Sequence, residues 1–210
     1  MEFDPARFTG EQLNTGEEVT PARKAASVIV LREGTDGPEV LLVQRNPASR
    51  FMGGAWVFPG GAVHSEDDSA AETARRELEE EAALALDTSS LVPFSRWITP
   101  KEGMVRFDTS FFVTGVPAGA DPRCDGEECV DVRWLRPRDA LDAFAREEMV
   151  LVFPTIKHLE QLAEFDSVDH AVDTARGREV EPVMPRIVVS DEHRAQIFLP
   201  GEPGYEDDAG

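Results

Sequence analysis

Three glutamates in one stretch of predicted helix constrain this chain more than any other feature of its sequence. Glu77, Glu80 and Glu81 stand at positions i, i+3 and i+4, so a helix places their carboxylates on one face within a single turn. Like charges at these spacings destabilise a helix by roughly 0.2–0.5 kcal/mol per pair, and no lysine is interleaved to relieve them. The cluster indicates a site for a hard divalent cation, above all Mg2+, which prefers carboxylate and water oxygens.

The residues around the glutamates predict a helix over 70–86, because nearly all are good helix formers and none is Gly or Pro. Asp67, Asp68 and Ser69 are the N-cap candidates. A stripe of small and apolar residues predicts close packing on a sheet: Ala71, Ala74, Leu78, Ala82 and Ala85. The alternative is a solvated acidic helix face, which is the usual explanation of a charge run.

The loop before the helix carries the more specific signal. Gly60 and Gly61, followed by Arg-Glu-Leu-Glu-Glu-Glu-Ala-Ala-Leu from position 76, resemble the box of the Nudix hydrolases. That pattern is Gly, five residues, Glu, seven residues, then Arg-Glu-apolar-any-Glu-Glu-any-Gly-apolar. Here the distance from Gly61 to Arg76 is one residue longer, and Ala83 replaces the last glycine. Because alanine disfavours a left-handed conformation, we expect the helix to continue to about Leu86.

The resemblance implies a strand-loop-helix-loop site that hydrolyses a diphosphate with Mg2+ or Mn2+ as cofactor. Glu80 and Glu81 correspond to the principal metal ligands, and Glu77 corresponds to a further ligand or to the base that activates water. The backbone carbonyl of Gly60 or Gly61 would complete the coordination, since glycine permits a close approach of the backbone.

Two more acidic positions follow from the same resemblance. Arg76 would pair with the isolated loop acid, which is either Glu66 or Asp67, and we take Glu66. Many Nudix enzymes place an additional acidic residue in the loop before a late strand. Glu128 is our candidate there for a catalytic base, and the alternative is that Glu127 and Glu128 are solvated loop carboxylates.

A second stretch bears on the substrate. Arg45, then Arg50, Gly54 and Phe-Pro-Gly-Gly from position 58, resemble the motif that precedes the box in coenzyme A diphosphatases. Its first half departs from that motif, because Arg45 to Arg50 is one residue short. Two arginines beside an acidic metal site suit bidentate contact with phosphate oxygens. The alternative is that both pair with surface carboxylates.

The segments 96–100 and 106–113 resemble the branch that includes mitochondrial and peroxisomal acyl-coenzyme A diphosphatases. Val105 to Val113 is apolar, β-branched and aromatic, which is typical of a buried strand. We expect Trp97, Phe107, Phe111 and Phe112 to lie in the core, with one of them lining a base or acyl pocket as the minority alternative.

Element patterns predict an α+β or α/β/α sandwich with a mixed β-sheet and a helical C-terminal extension, and the resemblance implies that this α+β fold is of the Nudix type. We expect a polar N-terminal arm over 1–22, a catalytic core over 23–136, a helical extension over 137–200 packed on the same domain, and an acidic tail over 201–210. Strands are predicted over 25–31, 40–44, 55–58, 94–98, 104–113 and 130–135, and further helices over 138–149, 155–165 and 167–175.

Charge and cysteine content exclude several classes of protein. The net charge of −20 argues against nucleic acid or an anionic membrane as a partner, since both require a basic surface. Cys124 and Cys129 stand without nearby histidines, which argues against zinc and favours reduced thiols. The sequence shows no signal-peptide pattern, and we expect a cytoplasmic protein, with a homodimer as an open option.

Together these features predict a diphosphatase that cleaves coenzyme A or an acyl-coenzyme A. The first alternative is a Nudix diphosphatase for ADP-ribose, NADH or another nucleoside diphosphate derivative. The second is a Nudix module that binds a nucleotide without catalysis, which the presence of Glu77, Glu80 and Glu81 disfavours.

Overall fold

An eight-stranded mixed sheet organises the computed structural model, which describes residues 2–3, 18–189 and 195–206. Its strands are β2 (Arg23–Gly34), β3 (Gly37–Arg45), β4 (Trp56–Val57), β5 (Gly60–Ala62), β6 (Val92–Ile98), β7 (Phe107–Val116), β8 (Cys129–Leu135) and β9 (Pro182–Val183). A second sheet combines β1 (Glu2–Phe3), β10 (Arg186–Val189) and β11 (Ala195–Phe198). The helices are α1 (Ala70–Ala82), α2 (Pro137–Ala145), α3 (Phe153–Leu162) and α4 (Val168–Arg176).

Strand β2 is the centre of the main sheet. It runs parallel to β7 from the pair Arg23–Phe107 to the pair Arg32–Val116. Its other edge is shared, because β5 pairs antiparallel with its first half and β3 with its last residues. The remaining order is β4-β3-β2-β7-β6-β9, and β8 pairs with β3. This sharing brings the glycines of β5 to the middle of the sheet.

Both faces of the sheet are covered, which confirms the predicted α/β/α sandwich. Val28 and Val30 point to one face, where they pack with Leu78 of α1. Ile29 and Leu31 point to the other face, into a core that also contains residues of α2, α3 and α4. Side chains alternate along a strand, so a strand buried on both faces has the continuous apolar run that the sequence shows.

The predicted helices of the C-terminal part are present as α2, α3 and α4, but this part also contains strands that the sequence analysis did not predict. Strand β9 extends the main sheet beside β6, and β10 pairs with β11 in the second sheet. In that sheet β11 also pairs with β1, at the start of the expected N-terminal arm. These strands are two to four residues long, too short for a periodicity signal.

Parts of the predicted terminal segments cannot be compared with the structure. Most of the expected arm, residues 1 and 4–17, and the last residues of the tail, 207–210, lie outside the described residues. In the described part of the chain the α-helices run from 9 to 13 residues. None of them is long and apolar enough to cross a membrane.

Helix α1 begins as predicted and ends earlier than predicted. Ser69 is the N-cap, and its hydroxyl accepts a hydrogen bond of 3.2 Å from the Glu72 N–H. The expected continuation to Leu86 is wrong, because the helix ends at Ala82 and Ala83 adopts the left-handed conformation, with φ 54° and ψ 29°. The Ala82 carbonyl accepts from the Arg123 N–H at 2.9 Å, so a neighbouring segment replaces the next helical turn.

Candidate active site

The turn at Gly60 and Gly61 is pressed against the glutamates of α1. The Gly60 N–H donates to Glu81 Oε2 at 3.0 Å. A Cβ atom added to Gly61 would lie 2.3 Å from Glu77 Oε1, and one added to Gly60 would lie 2.5 Å from the Ala26 carbonyl oxygen. Gly60 is therefore required by space, because the backbone of β2 leaves no room for a side chain there, whereas a side chain at Gly61 would displace the Glu77 carboxylate.

Two of the three glutamates are buried by this contact. Glu77 is 7% exposed and Glu81 is 2% exposed. Burial raises the pKa of Glu81 to about 7, and the nearby charge of Glu77 adds to the increase. Burial also raises the pKa of Glu77, which the charge of Arg76 partly offsets. Buried carboxylates that lack enough compensating positive charge fit a site that binds a divalent cation.

Arg76 sets the arrangement of the acidic face. Its Nη1 donates to Glu77 Oε1 and to Glu80 Oε2, each at 2.9 Å. The two carboxylates therefore share one face, although the Glu80 side chain is 58% exposed. In this arrangement no three His, Cys, Asp or Glu side chains among the described residues are grouped closely enough to hold a metal ion. The guanidinium lies between Glu77 and Glu80, and Glu81 is engaged by Gly60, so the side chains would have to turn to bind a cation.

The partner of Arg76 is Asp67, and the choice of Glu66 is corrected. Arg76 donates to both carboxylate oxygens of Asp67, at 3.2 and 3.1 Å. Asp67 also accepts from the Thr73 hydroxyl and from the His64 N–H, both at 2.9 Å. The hydrogen bonds from Arg76 and then from His64 hold the pKa of Asp67 well below its usual range. Glu66 is exposed and forms no hydrogen bond or ion pair with the described residues.

The spacing of the loop explains this correction. Asp67 lies six residues after Gly61, which is the distance that the Nudix pattern gives for its loop glutamate. The extra residue therefore lies between Asp67 and Arg76, not before the acid. Counting from Gly61 instead of matching the residue type would have found Asp67 from the sequence.

Arg45 and Glu128 are brought to the same site from β3 and from the loop before β8. Arg45 pairs with Cys129 across the two strands, and the Asn46 N–H donates to the Glu128 carbonyl at 2.8 Å. Burial and the charge of Arg76 have the largest effects on the pKa of Glu77. The negative charges of Glu80 and Glu128 have smaller effects and raise this pKa further. The positive charge of Arg45 acts on Glu81 and lowers its pKa. Both side chains therefore lie within electrostatic range of the buried glutamates.

Arg50 is not brought to the glutamates by any contact in the structure. It is exposed in the loop after β3, and within the described residues it forms no hydrogen bond or ion pair. The loop is tied to Arg45 instead, whose Nε donates to the Phe51 carbonyl at 3.3 Å. A role of Arg50 in substrate binding stays a prediction.

The sequence analysis did not predict that Cys129 lies beside Glu81. Both cysteines are free thiols, as expected, and Cys129 is fully buried. Its thiol hydrogen-bonds to Glu81, and burial, followed by the charge of Glu81, raises the pKa of the thiol well above its usual range. A neutral thiol next to Glu81 is a weak donor and does not add negative charge to the site. No spacing in the sequence indicated this contact, because it depends on the pairing of β8 with β3.

Comparisons with known proteins agree with this geometry. A family model of the NUDIX domain matches residues 21–155. The uncharacterized Nudix hydrolase NudL of Citrobacter koseri is 28% identical over 135 residues, which cover 64% of this chain and 65% of that protein. The acyl-coenzyme A diphosphatase NUDT19 of Xenopus laevis is 26% identical over 126 residues, covering 57% of this chain and only 33% of the frog protein. The crystal structure of a NUDIX hydrolase from Alicyclobacillus acidocaldarius superposes with a TM-score of 0.67 at 28% identity, over 74% of this chain and 97% of that chain.

Replacing Asp67 by Asn should weaken the binding of Mn2+ by about 10–100-fold, because the partners that orient metal ligands contribute on this order. The change removes the charged partner to which Arg76 donates through Nε and Nη2, and leaves the guanidinium to Glu77 and Glu80, where it competes with a cation. The measurement is calorimetric titration of the purified protein with Mn2+. Glu66→Gln is the matched control and should leave the affinity unchanged. A loss of affinity in Glu66→Gln with a normal Asp67→Asn would contradict the assignment.

Proposed function

The chain belongs to the Nudix hydrolase family, whose members act on nucleoside diphosphate derivatives and generally use divalent metal ions, and we propose that it hydrolyses the diphosphate of coenzyme A or an acyl-coenzyme A. The observation that carries the proposal is the packing of Gly60 and Gly61 on Glu77 and Glu81. The implied products are a 3',5'-bisphosphate nucleotide and 4'-phosphopantetheine or its acyl form.

The residues at the glycine turn suit a Mg2+ or Mn2+ ion. Glu77, Glu80, Glu81 and the backbone carbonyl of Gly61 would hold it, and all supply the oxygen ligands that these cations prefer. When bound, the cation neutralises charge on the phosphates and lowers the pKa of a water molecule. Glu81 must lose its proton to become a ligand, and its pKa of about 7 allows this at neutral pH.

The chain's own residues supply orientation and proton transfer. Arg76, held by Asp67, fixes the direction of Glu77 and Glu80 on the helix face. Glu128 is exposed at the edge of the site and is the proposed general base. An exposed carboxylate can reach a substrate-side water molecule, whereas Glu77 is buried and bound to Arg76.

Arg45 supports a substrate with several phosphate oxygens. Its guanidinium lies within electrostatic range of Glu81, where a diphosphate beside the metal would need a cation. The segment from Arg45 to Gly61 resembles the motif of coenzyme A diphosphatases, which also supports a coenzyme A substrate. The Xenopus laevis acyl-coenzyme A diphosphatase supports the same substrate through the part of its sequence that the chain matches.

The proposal is tested by incubating the protein with Mg2+ or Mn2+ and coenzyme A, an acyl-coenzyme A, ADP-ribose or NADH, and identifying the products by mass. We expect cleavage of coenzyme A or its thioester, and a fall of more than about 100-fold in Glu81→Gln, since even residues outside the ligand set contribute 10–100-fold. Glu79→Gln is the matched control, because Glu79 pairs with Arg75 away from the turn and its side chain is 54% exposed.

Other outcomes of this assay would overturn specific parts of the proposal. Strong turnover of ADP-ribose or NADH with coenzyme A untouched would replace the substrate and keep the reaction class. Tight nucleotide binding without turnover of any compound would favour a module that binds without catalysis.

Replacing Glu128 by Gln should lower kcat by about 10²–10⁴-fold, which is the usual contribution of a general base. Mn2+ affinity should be retained, because Glu128 is not among the proposed ligands. The comparison variant is Glu127→Gln, in the neighbouring loop position, for which kcat should remain near that of the unmodified protein. Normal turnover in Glu128→Gln would remove Glu128 from the mechanism and leave Glu77 as the base.

A further inference from the structure

A small apolar pocket opens on the sheet face opposite α1. Its volume is about 90 Å³. Strands β6 and β7 provide one wall through aromatic side chains that belong to the core of that face. The loop after β3, the start of α3 and the second sheet close the other sides. The residues that matter for the argument are Met52, Trp97, Thr109, Phe111, Phe153 and Ile197.

The pocket lies close to the glycine turn along the sheet. Gly60 is paired with Ser27 of β2, and Ser27 is paired with Phe111 of β7. Neighbouring strands are about 4.8 Å apart, so two strand spacings place the pocket wall roughly 10 Å from the turn. Phe58, two residues before the turn, has its ring centroid 6.5 Å from that of Phe111. The pocket wall is therefore roughly two strand spacings from the turn, on the sheet face opposite the glutamates, so a substrate held at the turn would reach it by passing around the buried Phe58.

The loop after β3 connects the pocket with the phosphate side of the site. Met52 lines the pocket, and the carbonyl of the preceding residue, Phe51, accepts the hydrogen bond from Arg45 Nε. Arg45 lies within electrostatic range of Glu81. A single short loop thus contacts both an arginine suited to phosphate and the apolar pocket.

The chemistry of the lining favours an aliphatic occupant over a nucleobase. No charged side chain lines the pocket, the Thr99 hydroxyl accepts from the Phe107 N–H at 3.0 Å, and the Thr109 hydroxyl forms no hydrogen bond with the described residues. A purine requires several placed polar partners. Benzene fills an apolar cavity of about 150 Å³, so a pocket of 90 Å³ suits a chain of about four carbons and is too small for a two-ring base.

We propose that this pocket receives the first carbons of the acyl chain of an acyl-coenzyme A, so that the gain in kcat/KM from a longer chain ends at about four carbons. This inference rests on the proposed function, since it assigns the acyl end of the same substrate. The pantetheine arm carries the thioester away from the diphosphate, and the arm is longer than the distance from the turn to the pocket wall. Longer chains must leave the pocket or displace Met52.

The first test compares kcat/KM for coenzyme A and its acetyl, butyryl and octanoyl thioesters. Each buried methylene should raise kcat/KM roughly fourfold, giving about a 15-fold preference for butyryl over acetyl. Octanoyl should gain nothing beyond butyryl, because the pocket has no space for further methylenes. Equal values across the series, or a continuous rise to octanoyl, would overturn the assignment.

Two substitutions should change the preference in opposite directions. Thr109→Phe fills the pocket and should bring the ratio of butyryl to acetyl turnover close to one. Met52→Ala enlarges the pocket and should raise the ratio of octanoyl to butyryl turnover by about 15-fold, for two newly buried methylenes. Thr109→Val preserves the side-chain shape, and Met104→Ala alters an exposed methionine outside the pocket, so both should retain the original ratios. Ratios measured within each variant are independent of its folded fraction.

A binding measurement separates failure of this inference from failure of the proposed function. Butyryl-pantetheine, which has no diphosphate, should bind more tightly than pantetheine, and Thr109→Phe should abolish the difference. If this holds while no coenzyme A thioester is cleaved, the proposed function falls and the acyl pocket remains. If thioesters are cleaved with no chain preference and no effect of Thr109→Phe, the pocket assignment falls and the function remains. Loss of ADP-ribose binding in Thr109→Phe, with butyryl-pantetheine unbound, would assign the pocket to a base instead.

Discussion

The close contact between a two-glycine turn and one helix face determines the rest of the site. Gly60 has no space for a side chain against β2, a side chain at Gly61 would displace the Glu77 carboxylate, and the Gly60 N–H bonds directly to Glu81. This contact buries two carboxylates that would otherwise be solvated, at a cost in free energy that the ion pair of Glu77 with Arg76 and the hydrogen bond from Gly60 to Glu81 offset only in part. A bound cation would offset the rest of that cost, which is the physical link between this geometry and the proposed metal.

The sheet connects this contact with the apolar pocket. Because β5 pairs with β2 and β2 with β7, the turn, the central strand and the aromatic wall of the apolar pocket form one hydrogen-bonded unit. The helices on the opposite face complete the core around that wall. Asp67 and Arg76 act from the other side and orient the exposed glutamate of the helix face. The diphosphate end and the apolar end of a substrate would thus be positioned by the same framework.

Local patterns in the sequence predicted the parts of the structure that depend on neighbouring residues. The N-cap at Ser69, the shared face of Glu77 and Glu80, and the central strands all follow from spacing and propensity. The left-handed Ala83 was missed because a hydrogen bond from a distant segment outweighs the intrinsic preference of alanine. Strands β1, β10 and β11 were missed for a similar reason: their pairing joins the two ends of the chain, and each is too short to show a pattern.

The most direct test of the central claim is a crystal structure of the protein with Mn2+, in which anomalous scattering locates the ion. The account predicts a Mn2+ peak bonded to carboxylate oxygens of Glu77, Glu80 or Glu81 and to the backbone at Gly60 or Gly61, with Arg76 turned onto Asp67. A peak elsewhere, or no Mn2+ at the turn at a concentration that supports hydrolysis, would contradict the account.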